Sequence, residues 1–503
     1  MTNPLFDALF APHVGSERVF LRQPGKPDLT YGAFAARAAG FAHALTGLGV
    51  DPGDRVAVQA EKCADVLALY AGCVMAGVVL LPLNTAYTPS ELDYFVGNSG
   101  ARVLVCDPDA APALANMAAS HGAELFTLSA EGGTLCDLAE GAPNDFRIVA
   151  RSADDLAAIL YTSGTTGRSK GAMLSQRNLL SNAEALAALW QFTTDDVLLH
   201  ALPIYHTHGL FVATNIALLT GCAMIFLPKF DAPEILSRLP EATAMMGVPT
   251  FYTRLLEQPG LSSAVCSNMR LFISGSAPLL PDTHEAWTAR TGHRILERYG
   301  MTETNMSTSN PYAGDRRPGT VGPPLPGVEV KVCDDSGAER SRGEIGILEV
   351  RGPNVCQGYW QMPEKTAEEF RQDGFFITGD LAQMGEDGYV TIVGRAKDLI
   401  IAGGLNIYPR EIEEVIDGLP DVLESAVIGV PHPDMGEGVV AIVVPAAGAT
   451  LDPGVLATAL TDQLARFKHP RHWVIADALP RNTMGKVQKA ALRETHRSVF
   501  TAP

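Results

Sequence analysis

Apolar and polar positions alternate along the first part of the chain in a way that predicts helices and strands in turn. Short apolar runs at 55–58, 78–81 and 103–106 have the length and composition of buried strands. Longer segments with helical spacing lie between them, at 64–76 and 89–98. Strands that alternate with helices are typical of parallel sheets covered by helices. The pattern therefore predicts an α/β fold.

Two further stretches extend this prediction. The uncharged stretch at 66–83 is short for a bilayer span, which needs about 20 residues, and it contains Gly72, Gly77 and Pro82. We therefore expect a buried helix and a buried strand there. Toward the end of the chain, a helix at 410–419 and strands at 425–430 and 439–445 predict a small α+β region.

Length and charge restrict the class of protein. A chain of 503 residues is too long for one hydrophobic core, so we expect two or more domains. The formal net charge of −18 argues against nucleic acid or an anionic membrane as a partner. A site for an anionic substrate must therefore be locally basic.

The cysteines and the first residues indicate a compartment. Eight cysteines are scattered without a Cys-x-x-Cys pair, which predicts reduced thiols rather than a zinc site or a disulfide framework. The first residues, Met-Thr-Asn-Pro-Leu-Phe-Asp, lack the basic and apolar regions of a signal peptide. Both features favour a cytoplasmic location.

A glycine-rich segment at 161–171 is the strongest candidate site in the sequence. It reads Tyr-Thr-Ser-Gly-Thr-Thr-Gly-Arg-Ser-Lys-Gly and follows a predicted strand at 156–160. Its N–H groups, its hydroxyls, Arg168 and Lys170 can all donate to phosphate oxygens. The spacing is not that of a P-loop, because Lys170 is followed by Gly171. The alternative is a flexible surface loop.

Two other segments place polar groups after predicted strands. His206 and His208 are two residues apart, and on an extended segment both rings lie on one side, which suits a ligand wall or a metal site. No third ligand at metal spacing is nearby, which argues against metal. Gly275, Ser276 and Ala277 follow a strand that ends near residue 274, so they form either a ligand-binding strand end or a simple tight turn.

Three motifs in this order resemble the adenylate-forming superfamily of acyl-CoA synthetases, adenylation domains and luciferases. They are the loop at 161–171, the run Tyr299-Gly-Met-Thr-Glu303, and Gly485-Lys486 near the end. The resemblance implies a large N-terminal domain of helix-covered sheets at 1–396 and a small mobile α+β C-terminal domain at 397–503. It makes Lys397 the hinge between them.

The resemblance also implies roles for individual residues. Lys486 and His206 are the expected catalytic residues, and Glu303 is the expected Mg²⁺ ligand. Arg168 and Lys170 bind phosphate, and Gly403, Gly404 and Asn406 bind CoA. The expected ATP-binding residues are Thr162, Ser163, Gly164, Thr165, Thr166, Gly167, Lys170, Gly275, Ser276, Ala277, Tyr299, Gly300, Thr302, Asp380, Arg395 and Lys486.

Arg298 indicates the acid that is activated. The resemblance places it beside the acyl pocket, where a buried guanidinium needs an anion. That anion is either a protein carboxylate, such as Glu297 or Glu303, or the second carboxylate of a diacid. Together with His206, His208 and Ser276, the second interpretation resembles the malonyl-CoA synthetases. It predicts malonate as the substrate, with methylmalonate tolerated.

The implied reaction is the ATP-dependent formation of a CoA thioester, with ATP, Mg²⁺ and coenzyme A as cofactors. Three alternatives stay open: a synthetase for oxalate, succinate or an aromatic acid, an enzyme that loads a carrier protein, and a nucleotide sensor without activity. A lysine acetyltransferase that modifies Lys486 is a further expected partner, because acetylation removes the charge of the lysine.

Overall fold

The computed structural model describes residues 2–162, 169–402, 405–433, 435–461, 463–464, 466–482 and 485–500. The chain forms two compact units. Unit 1 comprises Met1–Glu329 and Val350–Phe376, and unit 2 comprises Val330–Glu349 and Ile377–Pro503. The predicted boundary between residues 396 and 397 marks the start of the domain that the resemblance implies is mobile, and it stays a prediction.

Unit 1 is built from alternating helices and strands. Its strands are β1 (Val19–Arg22), β2 (Leu29–Thr30), β3 (Arg55–Gln59), β4 (Val79–Pro82), β5 (Val103–Cys106), β6 (Glu124–Thr127), β7 (Leu156–Thr162), β8 (Lys170–Ser175), β9 (Val197–His200), β10 (Ala223–Phe226), β11 (Ala244–Gly247), β12 (Leu271–Ser274), β13 (Leu296–Met301) and β14 (Asn305–Ser309). Its helices are α1 (Pro4–Leu9), α2 (Tyr31–Gly47), α3 (Ala64–Ala76), α4 (Pro89–Ser99), α5 (Ala111–Ser120), α6 (Thr134–Ala139), α7 (Gln176–Leu189), α8 (Asn215–Thr220), α9 (Ala232–Arg238), α10 (Pro249–Leu256), α11 (Pro281–Thr291) and α12 (Pro363–Glu369). A π-helix, His208–Thr214, precedes α8, and short 3₁₀ turns lie at Ala11–His13, Pro108–Ala110 and Leu239–Glu241.

These strands form two sheets that are mostly parallel. One has the order β6-β5-β3-β4-β7-β8, and the other has the order β14-β13-β12-β11-β9-β10-β1-β2. Within them, β7–β8, β13–β14 and β1–β2 are antiparallel pairs. The alternating pattern of the sequence is thus confirmed. The carboxyl ends of β9, β11, β12 and β13 lie side by side, which is the edge where open α/β sheets bind ligands.

The stretch at 66–83 shows why this pattern folds as it does. Helix α3 is apolar on all sides and buried from Val66 to Ala76, and it ends at Gly77, whose φ of 70° is left-handed. Strand β4 follows and is buried throughout. The predicted buried helix and buried strand are therefore confirmed. Within the described part of the chain, no helix is long and apolar enough to cross a membrane.

Unit 2 contains the remaining elements. Its strands are β15 (Glu329–Cys333), β16 (Gly346–Arg351), β17 (Phe376–Met384), β18 (Val390–Arg395), β19 (Ile400–Ala402), β20 (Leu405–Ile407), β21 (Val422–His432), β22 (Gly436–Pro445) and β23 (His472–Ile475), the first three extending one or two residues beyond the unit. Its helices are α13 (Pro409–Asp417), α14 (Pro453–Ala459) and α15 (Lys489–Thr495), with 3₁₀ turns at Ala396–Asp398 and Arg466–Lys468. The sheets have the orders β15-β16-β17-β18 and β20-β19-β22-β21, with β23 paired to β22.

The long β21–β22 hairpin is buried on both faces. Val427 and Val443 belong to a core with Ile412 and Ile416 of α13, whereas Ile428 and Val440 belong to a core with Leu492 of α15. This division follows from the two-residue period of a strand, which turns successive side chains to opposite faces. The predicted α+β region is confirmed as a folded element of unit 2.

All eight cysteines lie in the described residues, and each is buried as a free thiol. This agrees with the prediction of reduced thiols.

Candidate active site

Arg298 lies in β13 with its side chain in the interior of unit 1. The residue is 3% exposed. Strand β12 pairs with β13, so the turn that follows β12 reaches the guanidinium. A Cβ atom on Gly275 would lie 2.4 Å from Arg298 Cζ, so the backbone of Gly275 packs directly against that group. A side chain at this position would press against the guanidinium, whereas the backbone conformation itself does not demand glycine.

In the part of the chain that the structure describes, no carboxylate pairs with the guanidinium. Within the described residues, Arg298 Nε and Nη2 are buried without a hydrogen-bond partner. The carboxylate of Glu297 instead contacts His284 Nδ1 and accepts from Gly319 N, both at 3.2 Å. Glu303 accepts from other donors, described below. Burial lowers the pKa of Arg298 to about 9, which still leaves it charged at neutral pH.

His208 faces the same region, but not in the conformation that the sequence predicts. The segment is not extended: His206 precedes the π-helix, and His208 begins it. The prediction that an extended segment places the rings of His206 and His208 on one side was therefore wrong. His208 is buried, and its Nδ1 atom lies 3.3 Å from Ser276 Oγ. Its Nε2 atom is buried and finds no hydrogen-bond partner in the described part of the structure.

The electrostatic surroundings keep His208 neutral. Burial lowers its pKa well below the ordinary value, and the neighbouring Arg298, His200 and His206 lower it further. His206 itself is half-buried. The pocket thus concentrates basic groups in a protein whose net charge is strongly negative.

Ser276 occupies a strained backbone position between these groups. Its φ is 71°, in the left-handed region that non-glycine residues rarely adopt. Such strain persists where the surroundings fix it, and it is frequent at functional sites. Ser276 is half-buried and the following Ala277 is exposed. The turn after β12 therefore presents a hydroxyl beside Arg298 and His208.

The β13–β14 hairpin carries the next group of predicted residues. Tyr299 is half-buried, and because side chains alternate along a strand, it points to the face opposite Arg298. A Cβ atom on Gly300 would lie 1.9 Å from Asn305 O, so only glycine fits this hairpin. Thr302 and Glu303 form its tip. Strand β13 thus turns Arg298 to one face and Tyr299 to the other.

The glycine-rich segment joins antiparallel strands. Thr162 and Lys170 are cross-strand partners in β7 and β8. Ser163, Gly164, Thr165, Thr166, Gly167 and Arg168 lie outside the described residues. Thr162 Oγ1 lies 3.4 Å from Glu303 Oε1, which brings the segment and the β13–β14 hairpin together.

Lys170 and Glu303 meet through two residues that sequence reasoning missed. Lys170 Nζ donates to Glu369 Oε1 at 2.7 Å and to the hydroxyl of Tyr359 at 3.1 Å. That hydroxyl also contacts Glu303 Oε1 at 3.1 Å and forms a short hydrogen bond with Glu369. Glu369 lies in α12, whose many charges suggest a solvated face, and no motif marks Tyr359. Neither residue could be identified without the contacts.

Glu303 is the predicted metal ligand in this network. It is buried, and burial raises the pKa of its carboxyl group. Among the described residues, no group of three or more His, Cys, Asp or Glu could hold a metal ion by itself. A single carboxylate near hydroxyls suits Mg²⁺, which usually takes one or two carboxylates, substrate phosphates and water. The residues present therefore fit an Mg²⁺ ion that arrives with a nucleotide.

Unit 2 holds a second set of predicted residues. Asp380 and Arg395 face each other across β17 and β18, with Asp380 Oδ1 2.6 Å from Arg395 Nε. Asp380 is buried and Arg395 is more exposed. Lys397 follows in the 3₁₀ turn, and burial lowers its pKa. These residues are neighbours in the structure, and their predicted roles stay predictions.

Lys486 is exposed on a fixed loop. Its backbone N–H donates to Asn482 Oδ1 at 2.9 Å, and its carbonyl accepts from Asn482 N at 2.9 Å. Gly485 turns the chain with a φ of 74°, and its carbonyl accepts from Arg481 Nη1 at 2.6 Å. These hydrogen bonds hold the backbone of Gly485 and Lys486. Gly403 and Gly404 lie outside the described residues, and Asn406 lies in β20.

Two sequence families match the chain. The family described as AMP-binding enzyme matches residues 12–360, and the family described as AMP-binding enzyme C-terminal domain matches residues 411–486. Together they cover the loop at 161–171, the run at 299–303 and Gly485-Lys486, whereas Asp380, Arg395 and Lys397 lie between the two matches.

Individual relatives match over most of their length. A malonate–CoA ligase of Arabidopsis thaliana is 35% identical over 487 residues, which is 89% of this chain and 79% of the relative. A feruloyl-CoA synthase of Amycolatopsis is 36% identical over 495 residues and 97% of both chains. The crystal structure of ATP-bound MatB from Rhodopseudomonas palustris is 56% identical, with both chains covered to 100% and a TM-score of 0.97. Because relatives of similar identity are named for different acids, the pocket residues must distinguish between acids.

Proposed function

Because the chain belongs to the AMP-binding enzymes, we propose that it is an ATP- and CoA-dependent ligase that converts malonate to malonyl-CoA through an acyl-adenylate. AMP and pyrophosphate are the other products. The observation that carries the choice of acid is the buried Arg298 guanidinium, which no described carboxylate neutralises. The second carboxylate of malonate supplies that charge, with His208 and Ser276 beside it.

In the first step, a carboxylate oxygen of malonate attacks the α-phosphorus of ATP, and the bond to pyrophosphate breaks. Both reactants are anionic, so charge repulsion and alignment dominate the barrier. We assign Thr162 and Lys170, with the loop at 163–168, to the β- and γ-phosphates. Thr302 contacts the α-phosphate, and Lys486 neutralises the charge that develops between the two reactants.

Three further groups hold the nucleotide in this proposal. Tyr299 stacks on the adenine, and Gly275, Ala277 and Gly300 lie against it. Asp380 accepts from the ribose hydroxyls, and Arg395 supports Asp380 through their ion pair. Glu303 holds the Mg²⁺ ion, which neutralises phosphate charge when bound.

In the second step, the CoA thiol attacks the acyl carbon, and AMP leaves with the bonding oxygen. Lys486 has no task in this step. We propose that the C-terminal segment turns about Lys397, so that Gly403, Gly404 and Asn406 approach the CoA and His206 borders its path. This part of the proposal rests on the family resemblance.

Methylmalonate is a proposed second substrate. Its extra methyl group leaves both carboxylates in place, so the contacts to Arg298 and His208 are kept. One methyl group changes discrimination in an apolar pocket by only about 1–3 kcal/mol. The acid should therefore be accepted with reduced efficiency rather than refused.

A panel of acids tests the proposed substrate. Malonate, methylmalonate, succinate, oxalate, acetate and benzoate are each supplied with ATP, Mg²⁺ and CoA, and AMP and the thioester are measured. We expect the highest kcat/KM for malonate. The assignment fails if acetate or benzoate reacts more efficiently.

Two arginine variants test whether Arg298 determines the preference for malonate. Arg298→Ala should lower kcat/KM for malonate by at least about 100-fold, because one carboxylate then lies in a pocket without its cation. The KM for ATP should change little. Arg294→Ala is the matched control, because Arg294 lies on the same segment but is exposed, 3.6 Å from Asp315.

Two finer expectations complete the proposal. The exposed Lys486 is accessible to an acetyltransferase, and acetylation should stop the first step, which incubation with such an enzyme and an adenylation assay can test. We also place the enzyme in the cytoplasm, and the eight free thiols support this location.

A further inference from the structure

Lys62 is a buried basic residue that the proposed mechanism does not use. It lies between β3 and α3 and is 9% exposed. Across the described residues, no carboxylate forms an ion pair with it. Its Nζ atom lies 2.8 Å from both His200 Nδ1 and His200 O, and 4.3 Å from the centre of the Phe226 ring. A buried lysine without an acidic partner is costly, so it needs an explanation beyond packing.

His200 connects Lys62 to the proposed acid pocket, which is formed by Arg298, His208 and Ser276. It is the last residue of β9 and is buried, and its Nε2 atom lies 2.9 Å from the carbonyl oxygen of Gly209. Gly209 follows His208 in the π-helix. The same carbonyl accepts from Thr214 Oγ1 at 2.9 Å. The chain of contacts thus runs from Lys62 through His200 to the residue beside His208.

The hydrogen-bond partners determine the tautomer of His200. A carbonyl oxygen can only accept, so Nε2 of His200 must carry the proton. Burial, together with the neighbouring Lys62, lowers the pKa of His200 and keeps the ring neutral, so Nδ1 has no proton and must accept. Lys62 is the donor to Nδ1. Without that donor, Nδ1 would be a buried acceptor without a partner, and the ring would be held against the Gly209 carbonyl from one side only.

The position of Gly209 leaves little freedom for the π-helix. A Cβ atom on Gly209 would lie 1.9 Å from Pro203 O, so the helix starts in close contact with the preceding turn. A small shift of the Gly209 carbonyl must therefore move His208, which contacts Ser276 in the acid pocket. π-Helical turns are frequent at functional sites, where the extra residue redirects a side chain.

We infer that Lys62 is a positioning residue for diacid selection: by donating to His200, it holds the Gly209 carbonyl and so places His208 against the second carboxylate of the substrate. This inference rests on the proposed function. It assigns Lys62 and His200 no contact with the substrate. Their effect should therefore fall on the choice of acid and leave the KM for ATP unchanged.

A double-mutant cycle tests the inference. Lys62→Met should lower kcat/KM for malonate by about 10-fold, and that for propionate by clearly less, because propionate lacks the second carboxylate. His200→Gln keeps an amide donor for the Gly209 carbonyl but lacks the ring nitrogen that Lys62 contacts. In this background, Lys62→Met should change the malonate-to-propionate ratio by less than about 2-fold.

Two results would overturn the inference. One is an equal loss of kcat/KM for malonate and for propionate in Lys62→Met. The malonate-to-propionate ratio would then be unchanged, which indicates a packing role. The other is full additivity of the effects of Lys62→Met and His200→Gln on the malonate-to-propionate ratio. If wild-type protein does not prefer malonate over propionate, the proposed function fails instead, so the two failures are distinguishable.

A measurement on the unmodified protein covers the case in which Lys62→Met does not fold. Histidine labelled with ¹⁵N reports the tautomer of each ring, and the His200 signal is identified by its loss in His200→Gln. We expect a neutral ring protonated at Nε2. A proton on Nδ1, or a charged ring, contradicts the inference whatever the variants do.

Discussion

At the scale of single residues, the proposed acid pocket combines a buried cation, Arg298, with a buried neutral ring, His208. Moving an ion into a protein interior costs several kcal/mol unless an opposite charge and hydrogen bonds compensate. Arg298 and His208 meet this cost differently: burial leaves Arg298 charged, whereas His208 is kept neutral. We propose that the second carboxylate of a diacid compensates the charge of Arg298 and that this contact underlies the selectivity for malonate.

The contact between Gly275 and Arg298 gives a first prediction. Gly275→Ala places a methyl group 2.4 Å from Arg298 Cζ, so the guanidinium must move and malonate kcat/KM should fall by about 10–100-fold. In Arg298→Ala the space is free, so adding Gly275→Ala should cost little more. Steady-state kinetics of the four proteins check this. Simple additivity of the two losses would show that the contact is unimportant.

Proton uptake on malonate binding is the second prediction. The pKa of His208 is lowered by burial and then by Arg298, His200 and His206, so the free ring is neutral at neutral pH. A nearby carboxylate favours the charged ring and raises that pKa. Binding should therefore take up protons, and malonate affinity should fall as the pH rises above the lowered pKa of the free ring.

Calorimetry in two buffers of different ionisation enthalpy measures this uptake. A binding enthalpy that does not depend on the buffer contradicts the prediction. His208→Asn is the control, because it removes the titrating ring and should remove the buffer dependence.

At the scale of elements, the hairpins and the π-helix position the chemistry. The β13–β14 hairpin turns at Thr302 and Glu303, and its close approach at Gly300 fixes that turn. The π-helix brings His208 to Ser276. The sequence predicted strands correctly around these turns, but it predicted an extended segment where the π-helix begins. The reason is tertiary: His200 and Thr214 hold the Gly209 carbonyl.

The end of α13 provides a third prediction, on stability. Burial, with Glu413 and Glu424 nearby, raises the pKa of Asp417 to about 7. Its pKa in the unfolded chain is about 3.9. Between about pH 4 and pH 7 the folded protein therefore keeps a proton that the unfolded chain has lost. The free energy of unfolding should fall as the pH rises through this window and then level off.

Asp417→Asn should remove this dependence and stabilise the protein by about 1–2 kcal/mol at high pH, with little effect at low pH. Chemical denaturation at several pH values measures it. The exposed Asp421, as Asp421→Asn, is the matched control. An unchanged pH profile in Asp417→Asn would show that another group is responsible.

At the scale of the whole molecule, this acidic protein buries several basic side chains in unit 1. The net charge is −18, yet Lys62, His200, His208 and Arg298 are all buried in unit 1. Lys486 belongs to unit 2, on a loop whose backbone is fixed by Asn482 and Arg481. The proposed first step uses Lys170 and Arg298 of unit 1 and Lys486 of unit 2.

Separation of the two steps is the fourth prediction. Lys486→Ala should lower adenylate formation by about 100-fold or more, because the charge that neutralises the reacting groups is lost. Thioester formation from supplied malonyl-adenylate should be largely retained. Lys489→Ala is the matched control: Lys489 lies three residues later and pairs with Glu413 at 2.6 Å, so its loss should affect stability rather than adenylation. Equal loss of both steps in Lys486→Ala contradicts the assigned role.

The sequence by itself determined the alternating α/β pattern, the α+β region near the end and the motif residues Lys170, Arg298, Glu303 and Lys486. It could do so because periodicity and short motifs depend on neighbours in the chain. Only the tertiary structure showed that Glu369 and Tyr359 hold Lys170, that Lys62 reaches His200, and that Glu297 turns to His284 rather than to Arg298. These contacts join residues far apart in sequence, and whether a buried charge has a partner is decided by such contacts alone.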